Sequence, residues 1–405
     1  MDLTATPEDV AFRDQVRAWL EANAPREVTT LEERKAWARK LYEAGYLGMA
    51  WPKAYGGRDA RPMEQAIVAD ELARINAPPA TIGLGVSIVG HTIIVHGTEE
   101  QKRRFLAKIL SHEEIWCQLY SEPNAGSDLA SLKTKAEDNG DHYLVNGQKV
   151  WTSSGMLADW GLLLARTDPN VSKHQGISCF LINMRQPGIE VRPLVQITGG
   201  AEFAEVFMTN ARVEKDRLVG QINQGWKIAQ TTLGYERGGN TLGRITRFRA
   251  AFNQLVEVAK RLKRNGHKAI DDPLVRQKLG RIYAELEVAR YGALRILTKL
   301  EKGAHPGPES SLDKLNVTEF DKRYQELVQE ILGPYGQLTE GLPGELPLEV
   351  TATNGVSGTF AYLFLWSRAG TIYAGSSEIQ KNIIGERVLG LPKEVRADRL
   401  PRKSG

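Results

Sequence analysis

Apolar residues recur at helical spacing through roughly the first 115 positions, fall into short alternating runs for the next 110, and return to helical spacing beyond Trp226. In the first stretch Thr6-Pro7-Glu8-Asp9 supplies an N-cap, a proline at the first helical position and acids in the first turn, ahead of an amphipathic run from Val10 to Leu20. Gly97 closes one element and Thr98-Glu99-Glu100 opens the next, in which Phe105, Leu106, Ile109 and Leu110 share a face. Residues 1–115 therefore predict an all-helix domain.

Residues 116–225 read as a β domain. Asn146-Gly147, set between the β-prone runs Tyr143-Leu144-Val145 and Gln148-Lys149-Val150, predicts a hairpin turn. Gly161 to Ala165, Ile177 to Ile182, Ile189 to Arg192 and Glu205 to Met208 follow as short runs parted by Gly, Pro, Asn or Asp, the pattern of an antiparallel sandwich or barrel. From 226 to 405 the long periodic segments Arg247 to Leu262, Leu274 to Leu300 and Val317 to Leu332 predict a helical bundle. Gly303 to Ser311 and Gln337 to Gly358 read as loops, the second long enough for a functional cover. No internal repeat is present, and the fold class is α+β in three domains.

Composition narrows the function. With 405 residues, 41% of them hydrophobic, the chain can bury the cores of several domains. A net charge of +4, with Lys and Arg interleaved among Asp and Glu, argues against nucleic acid as a partner. Cys117 and Cys179 are too few for a disulfide framework, and MDLTATPEDV lacks the basic start and apolar run of a signal peptide, so a cytoplasmic protein is expected. No uncharged apolar run approaches the roughly 20 residues that span a bilayer.

Several cofactor motifs fail. Gly83-Leu84-Gly85 has no βαβ setting, and Gly238 to Gly243 continues with Arg244-Ile245 where a phosphate-binding loop needs Lys and Ser or Thr. The histidines and cysteines show no metal-ligand spacing, so no metal is expected, and GxSxG is absent.

Three segments remain. Tyr120-Ser121-Glu122-Pro123-Asn124-Ala125-Gly126-Ser127-Asp128 is a polar turn rich in amides and hydroxyls, Trp151-Thr152-Ser153-Ser154-Gly155 follows about 30 positions later, and Tyr373-Ala374-Gly375-Ser376-Ser377-Glu378-Ile379-Gln380 lies near the C-terminus. Together they resemble the signatures of the acyl-CoA dehydrogenase family, and the helix–sheet–helix order matches that family over essentially the whole chain. The resemblance implies FAD, with Tyr120, Ser121, Trp151, Thr152 and Ser153 around the flavin and Ser127 on the pantetheine arm or the phosphates. Arg276, in a segment similar to the family's Arg-x-x-Phe-Gly but with Leu279 for Phe, would reach the FAD pyrophosphate of a neighbouring subunit, as would Ser376 and Glu378.

Ala374 stands where the family often carries the Glu that removes the substrate's α-proton, and a methyl group accepts no proton. Glu236-Arg237 resembles the pair found in the isovaleryl- and long-chain-type subset, whose base lies on the first helix of the C-terminal domain. Glu236 is thus the expected base, Arg237 a substrate-binding residue, and the backbone N–H of Ala374 a donor to the thioester oxygen. Gly234, Gly238 and Gly239 around Glu236, with the small Ala374, suggest room for a branched or polycyclic acyl group. The resemblance further implies a homotetramer built as a dimer of dimers and electron-transferring flavoprotein as acceptor. A flavin monooxygenase or oxidase on the same fold, and a partner subunit of a mixed tetramer, are the competing readings.

Overall fold

The computed structural model describes residues 6–238, 241–264, 266–303, 307–339, 349–353 and 356–393, and no side chain of 235–241 or 349–357. Helices α1 (Pro7–Asn23), α2 (Leu31–Glu43), α3 (Pro62–Arg74), α4 (Gly90–His96) and α5 (Glu99–Leu110) open the chain. Three of them begin with reciprocal capping boxes: Thr6 with Asp9, Thr30 with Glu33, and Thr98 with Gln101. Charge fastens α1 to α3. Glu71 is 1% exposed and accepts hydrogen bonds from Arg13, Arg17 and Arg74. Burial alone would raise its carboxyl, but the three guanidiniums outweigh that and hold it at about 2. Gly83, dismissed above as a nucleotide loop, lies between helices, and a Cβ there would sit 2.5 Å from the Trp116 carbonyl oxygen.

The middle of the chain forms β1 (Trp116–Leu119), β2 (Lys135–Asp138), β3 (His142–Ser153), β4 (Trp160–Arg166), β5 (Ile177–Asn183), β6 (Ile189–Leu194), β7 (Phe203–Glu214) and β8 (Leu218–Val219). They make one sheet in the order β6-β7-β3-β2-β4-β5-β8, with β1 beside β4. Pairing is antiparallel except where β1, and one residue of β2, run parallel to β4. The unbroken apolar run of β4 has a simple cause: Leu162 and Leu164 join the core beneath the N-terminal helices, while Leu163 and Ala165 join the core on the other face.

The predicted hairpin at Asn146-Gly147 is wrong. β3 runs straight through it with a bulge, where Asn146 exchanges hydrogen bonds with Asn210 across the β3–β7 pair. Gly147 serves close approach, since a Cβ would lie 2.5 Å from Thr134 Oγ1. The turn between β2 and β3 falls at a different Asn-Gly, Asn139-Gly140, where Gly140 adopts φ +88° and the Asn139 N–H donates to the His142 carbonyl.

Helices α6 (Gly225–Gly238), α7 (Thr241–Arg261), α8 (Pro273–Glu301) and α9 (Ser310–Leu332) follow, then α10 (Phe360–Gly370) and α11 (Ser377–Ile383). Between α7 and α8 lie two-residue strands β9 (Lys263–Arg264) and β10 (His267–Lys268). The stretch read as one long loop holds an antiparallel pair, β11 (Glu349–Thr353) and β12 (Val356–Thr359); 340–348 and 354–355 are outside the described residues, as are 304–306 of the other loop. Phe248, Leu286, Phe320, Tyr324 and Val328 are among the residues that fill the bundle core. Both cysteines are buried as free thiols, and burial pushes the Cys117 thiol up to about 12. No helix among the described residues is long and apolar enough to cross a membrane.

Candidate active site

Strand β1 ends at Leu119 and delivers Tyr120 and Ser121 into a tight turn in which Glu122 and Ala125 exchange backbone hydrogen bonds. A buried carboxylate organises it. Glu122 accepts from the backbone N–H groups of Lys133, at 2.6 Å, and Thr134, at 2.9 Å, and from Lys149 Nζ, also at 2.9 Å. Lys149 is fully buried and donates as well to the Tyr120 carbonyl, at 3.0 Å. Burial pulls Lys149 down to about 8 against the attraction of Glu122. For Glu122 burial pushes upward, but Lys149 and the amide donors outweigh it and hold the carboxyl below its usual value. One more bond, Val150 N–H to the Ser121 carbonyl at 2.9 Å, brings the turn against the end of β3. The predicted residues Tyr120 and Ser121 are thus gathered with Trp151, Thr152 and Ser153.

At that end of β3 the backbone is strained and polar capacity is left over. Trp151 and Ser154 both adopt positive φ, +59° and +58°, an uncommon choice for residues with a Cβ. The Trp151 side chain is 56% exposed and meets Phe203 edge to face at 5.9 Å. Thr152 is wholly buried, yet its Oγ1 has no hydrogen-bond partner among the described residues. An exposed aromatic face beside an unanswered buried hydroxyl suits a planar heterocycle with hydrogen-bonding edges, so these residues fit a flavin. Ser127 is exposed further along the turn, next to Asp128, which Lys173 holds at 2.8 Å.

The C-terminal segment is tied to this cluster through α10. Trp366 stacks on Phe203 at 6.1 Å, and Tyr362 Oη donates to Glu202 at 2.9 Å. Beyond α10 the chain makes two left-handed steps, Ala374 at φ +52° and Gly375 at +86°. Gln380 Nε2 donates to both carbonyls and Lys314 Nζ to that of Gly375. Ser376 caps α11, its Oγ accepting the Ile379 N–H. Left-handed geometry costs an alanine about 1–2 kcal/mol, whereas glycine adds back about 0.5–1 kcal/mol of chain entropy. Ala374→Gly is therefore expected to be neutral to slightly stabilising, and Ala374→Val, β-branched at positive φ, to lower the urea midpoint clearly; a Val variant as stable as the native chain would contradict this geometry.

Glu236 and Arg237 fall in the last helical turn of α6, and their side chains lie outside the described residues. The preceding turn is anchored by a junction that sequence reasoning missed. Thr232, fully buried, receives a hydrogen bond from Tyr120 Oη at 3.1 Å and shares another with Thr92 Oγ1 of α4 at 3.0 Å, while Thr231 pairs with His96 at 2.9 Å. A turn residue and a helix of the N-terminal domain thus fix α6 one turn before position 236. Gly234 faces open space: a Cβ there would meet nothing within 4 Å. Arg276, at the start of α8, and Glu378 are exposed, and no hydrogen bond or ion pair among the described residues ties their side chains to the Ser121–Trp151 cluster.

A polar turn and a strand end that fit a flavin, between two helical domains, point to a flavoprotein class. The chain matches the acyl-CoA dehydrogenase N-terminal domain over residues 6–113, the middle domain over 117–217 and the C-terminal domain over 223–389. It belongs to the acyl-CoA dehydrogenase family, is a flavin-linked oxidoreductase, and takes FAD as its cofactor. Acyl-CoA dehydrogenase IpdE1 of Mycobacterium tuberculosis is 40% identical over 399 residues, covering 95% of this chain and 98% of that protein. Among solved structures, the steroid ACAD Tcur3481-Tcur3483 superposes with a TM-score of 0.81 at 29% identity over 97% of this chain and 100% of the other. The ChsE4-ChsE5 complex from Mycobacterium tuberculosis gives 0.81 at 30%, with the same coverage.

Proposed function

We propose that the chain dehydrogenates an acyl-CoA thioester at the α,β bond to the trans-2-enoyl-CoA, with Glu236 as base and a branched or bulky acyl group as substrate. The observation that supports it is a division of labour between two turns. The left-handed turn at Ala374 carries no carboxylate, and the helix that does carry one, α6, is pinned one turn before Glu236 by Thr92, Tyr120 and Thr232.

In this reading Tyr120, Ser121, Trp151, Thr152 and Ser153 hold the flavin ring, and Arg276, Ser376 and Glu378 hold the nucleotide end, across a subunit boundary. When bound, FAD supplies the acceptor for the hydride that leaves the β-carbon. Glu236 takes the α-proton, and the Ala374 N–H donates to the thioester oxygen as negative charge gathers there. Arg237 and Ser127 position the CoA thioester. Because each site draws on two chains in this reading, the working assembly is a homotetramer or a mixed tetramer, which native mass and flavin stoichiometry distinguish; the solved ChsE4-ChsE5 complex supports including the mixed arrangement. Electron-transferring flavoprotein is the proposed acceptor.

An anaerobic screen tests the reaction. Purified holoprotein is mixed with short linear, branched and steroid-side-chain CoA thioesters while flavin absorbance is followed. Bleaching is expected, and fastest with the bulky thioesters. No bleaching by any thioester overturns the reaction, and a clear preference for short linear chains overturns the roomy pocket.

A further inference from the structure

Helix α9 buries a polar face. Ser311, Lys314, Thr318, Asp321 and Gln325 recur at helical spacing along it, and each is at most 9% exposed. A lysine is almost never buried unless another group answers its charge. Lys314 Nζ donates to the Gly375 carbonyl at 2.7 Å, in the turn that carries Ala374. Ser377 Oγ donates to Glu319 at 2.7 Å, so α9 grips the chain on both sides of Ser376.

The turn is fixed by its carbonyls. Gln380 Nε2 donates to those of Ala374 and Gly375 at 3.1 and 3.2 Å, and Lys314 adds a charge-assisted bond to the second, of a kind stronger than a neutral one. The flanks are tied as well, Tyr373 N–H to the Ala369 carbonyl at 3.1 Å and Ser377 N–H to the Thr371 carbonyl at 2.9 Å. No hydrogen bond among the described residues takes the Ala374 N–H. Left-handed backbone persists at a residue with a Cβ only while its surroundings over-determine it, so the direction of that open amide depends on the donors that grip the carbonyls. An amide held still before the reaction begins costs no reorganisation as charge develops on its acceptor.

We propose that Lys314 is a positioning residue for the reaction: by holding the Gly375 carbonyl it fixes the Ala374 N–H where the thioester oxygen gathers negative charge. Lys314 touches neither substrate nor flavin in this role and acts through the turn. The inference rests on the dehydrogenase reading for its reaction and on the hydrogen bonds of the turn for its geometry.

The test compares wild-type holoprotein with Lys314→Met, which removes the donor, and Lys314→Arg, which keeps it. Anaerobic flavin reduction by the fastest wild-type thioester gives the first readout. K314M is expected to lower the limiting rate per bound flavin about tenfold or more while the half-saturating concentration stays within about threefold, and K314R to restore most of the rate. Acetoacetyl-CoA, a β-keto thioester whose enolate absorbs in the near ultraviolet, gives the second. The pH at which half of the bound ligand is enolate is expected to rise by about one unit in K314M, a tenfold weaker hold on the enolate, and to return in K314R. A lysine that only supports the fold would lower flavin content or melting temperature and leave both readouts unchanged, and that outcome overturns the proposal. A change confined to the half-saturating concentration overturns it too. If K314M does not fold or holds no flavin, Lys314→Gln decides by the same readouts. If no thioester reduces the wild-type flavin, the functional reading fails by itself. The acetoacetyl-CoA titration then still decides Lys314, and an enolate midpoint that is the same in all variants, or no enolate on wild type, sinks the proposal.

Discussion

Replacing Glu236 with Gln is expected to lower the rate of flavin reduction by acyl-CoA about 10²–10⁴-fold, while FAD content and helical signal stay unchanged. The α-proton of a thioester is a weak acid, and its removal needs a positioned base whose pKa lies near the working pH. A carboxylate enclosed by an acyl chain and a flavin is disfavoured as an anion, which moves its pKa upward in that direction. Glutamine has the same size and polarity but accepts no proton, so the loss falls on the chemical step. Rapid-mixing under anaerobic conditions separates the cases: an unchanged substrate dependence with a collapsed limiting rate identifies a base. A fall of less than about threefold in the limiting rate would place the base elsewhere. The turn at Ala374 makes the result decisive, because the other position from which the family draws its base carries only a methyl group.

Much of this was legible in the chain, and the parts that were not share a physical cause. Capping boxes at Thr6 and Thr98 are local chemistry, complete within four residues, and both stand where the spacing predicts. The same holds for β4 and β5, whose boundaries are set by apolar runs. Asn146-Gly147 misled because an Asn-Gly pair specifies a left-handed or crowded backbone without saying which: Gly140 supplies a turn, Gly147 a gap for Thr134. Strands β11 and β12 were hidden because, among the described residues, these two short strands pair with each other alone, in a stretch whose composition reads as loop. At the site, the segments around Ser121 and Trp151 were found by resemblance, yet what joins them was not. The Phe203–Trp366 stack and the hydroxyl junction at Thr232 each link residues more than 100 positions apart, and no local pattern marks them. Lys149 did leave a trace. It is a cation on the inward parity of Val145, in a strand with apolar neighbours, and a charge there needs a buried partner.

That partner makes the second prediction: Lys149→Met alone costs about 3–5 kcal/mol of stability in the middle domain and strips FAD from the protein, because it leaves Glu122 buried without its cation. Glu122 retains the Lys133 and Thr134 amides, but two neutral donors do not replace an ammonium at 2.9 Å. Adding Glu122→Gln removes the stranded charge and keeps an acceptor for one amide, so the double variant recovers part of the loss. Thermal melting followed by tryptophan and by flavin fluorescence reads both effects, and additive losses in the double variant would show that the pair is not coupled. Acid should act on the same joint. Glu122 has its carboxyl below the usual value in the folded chain, so its contribution is present above the unfolded carboxylate pKa and is lost as pH falls through the folded one. In wild type, flavin release is therefore expected to accelerate below about pH 4.5, on the ordinary carboxylate scale. In the K149M/E122Q variant position 122 no longer titrates, and this acid-dependent step in flavin release should be reduced. In this prediction Glu122 acts through the loop it holds closed, a role that a retained acid step in the double variant would exclude.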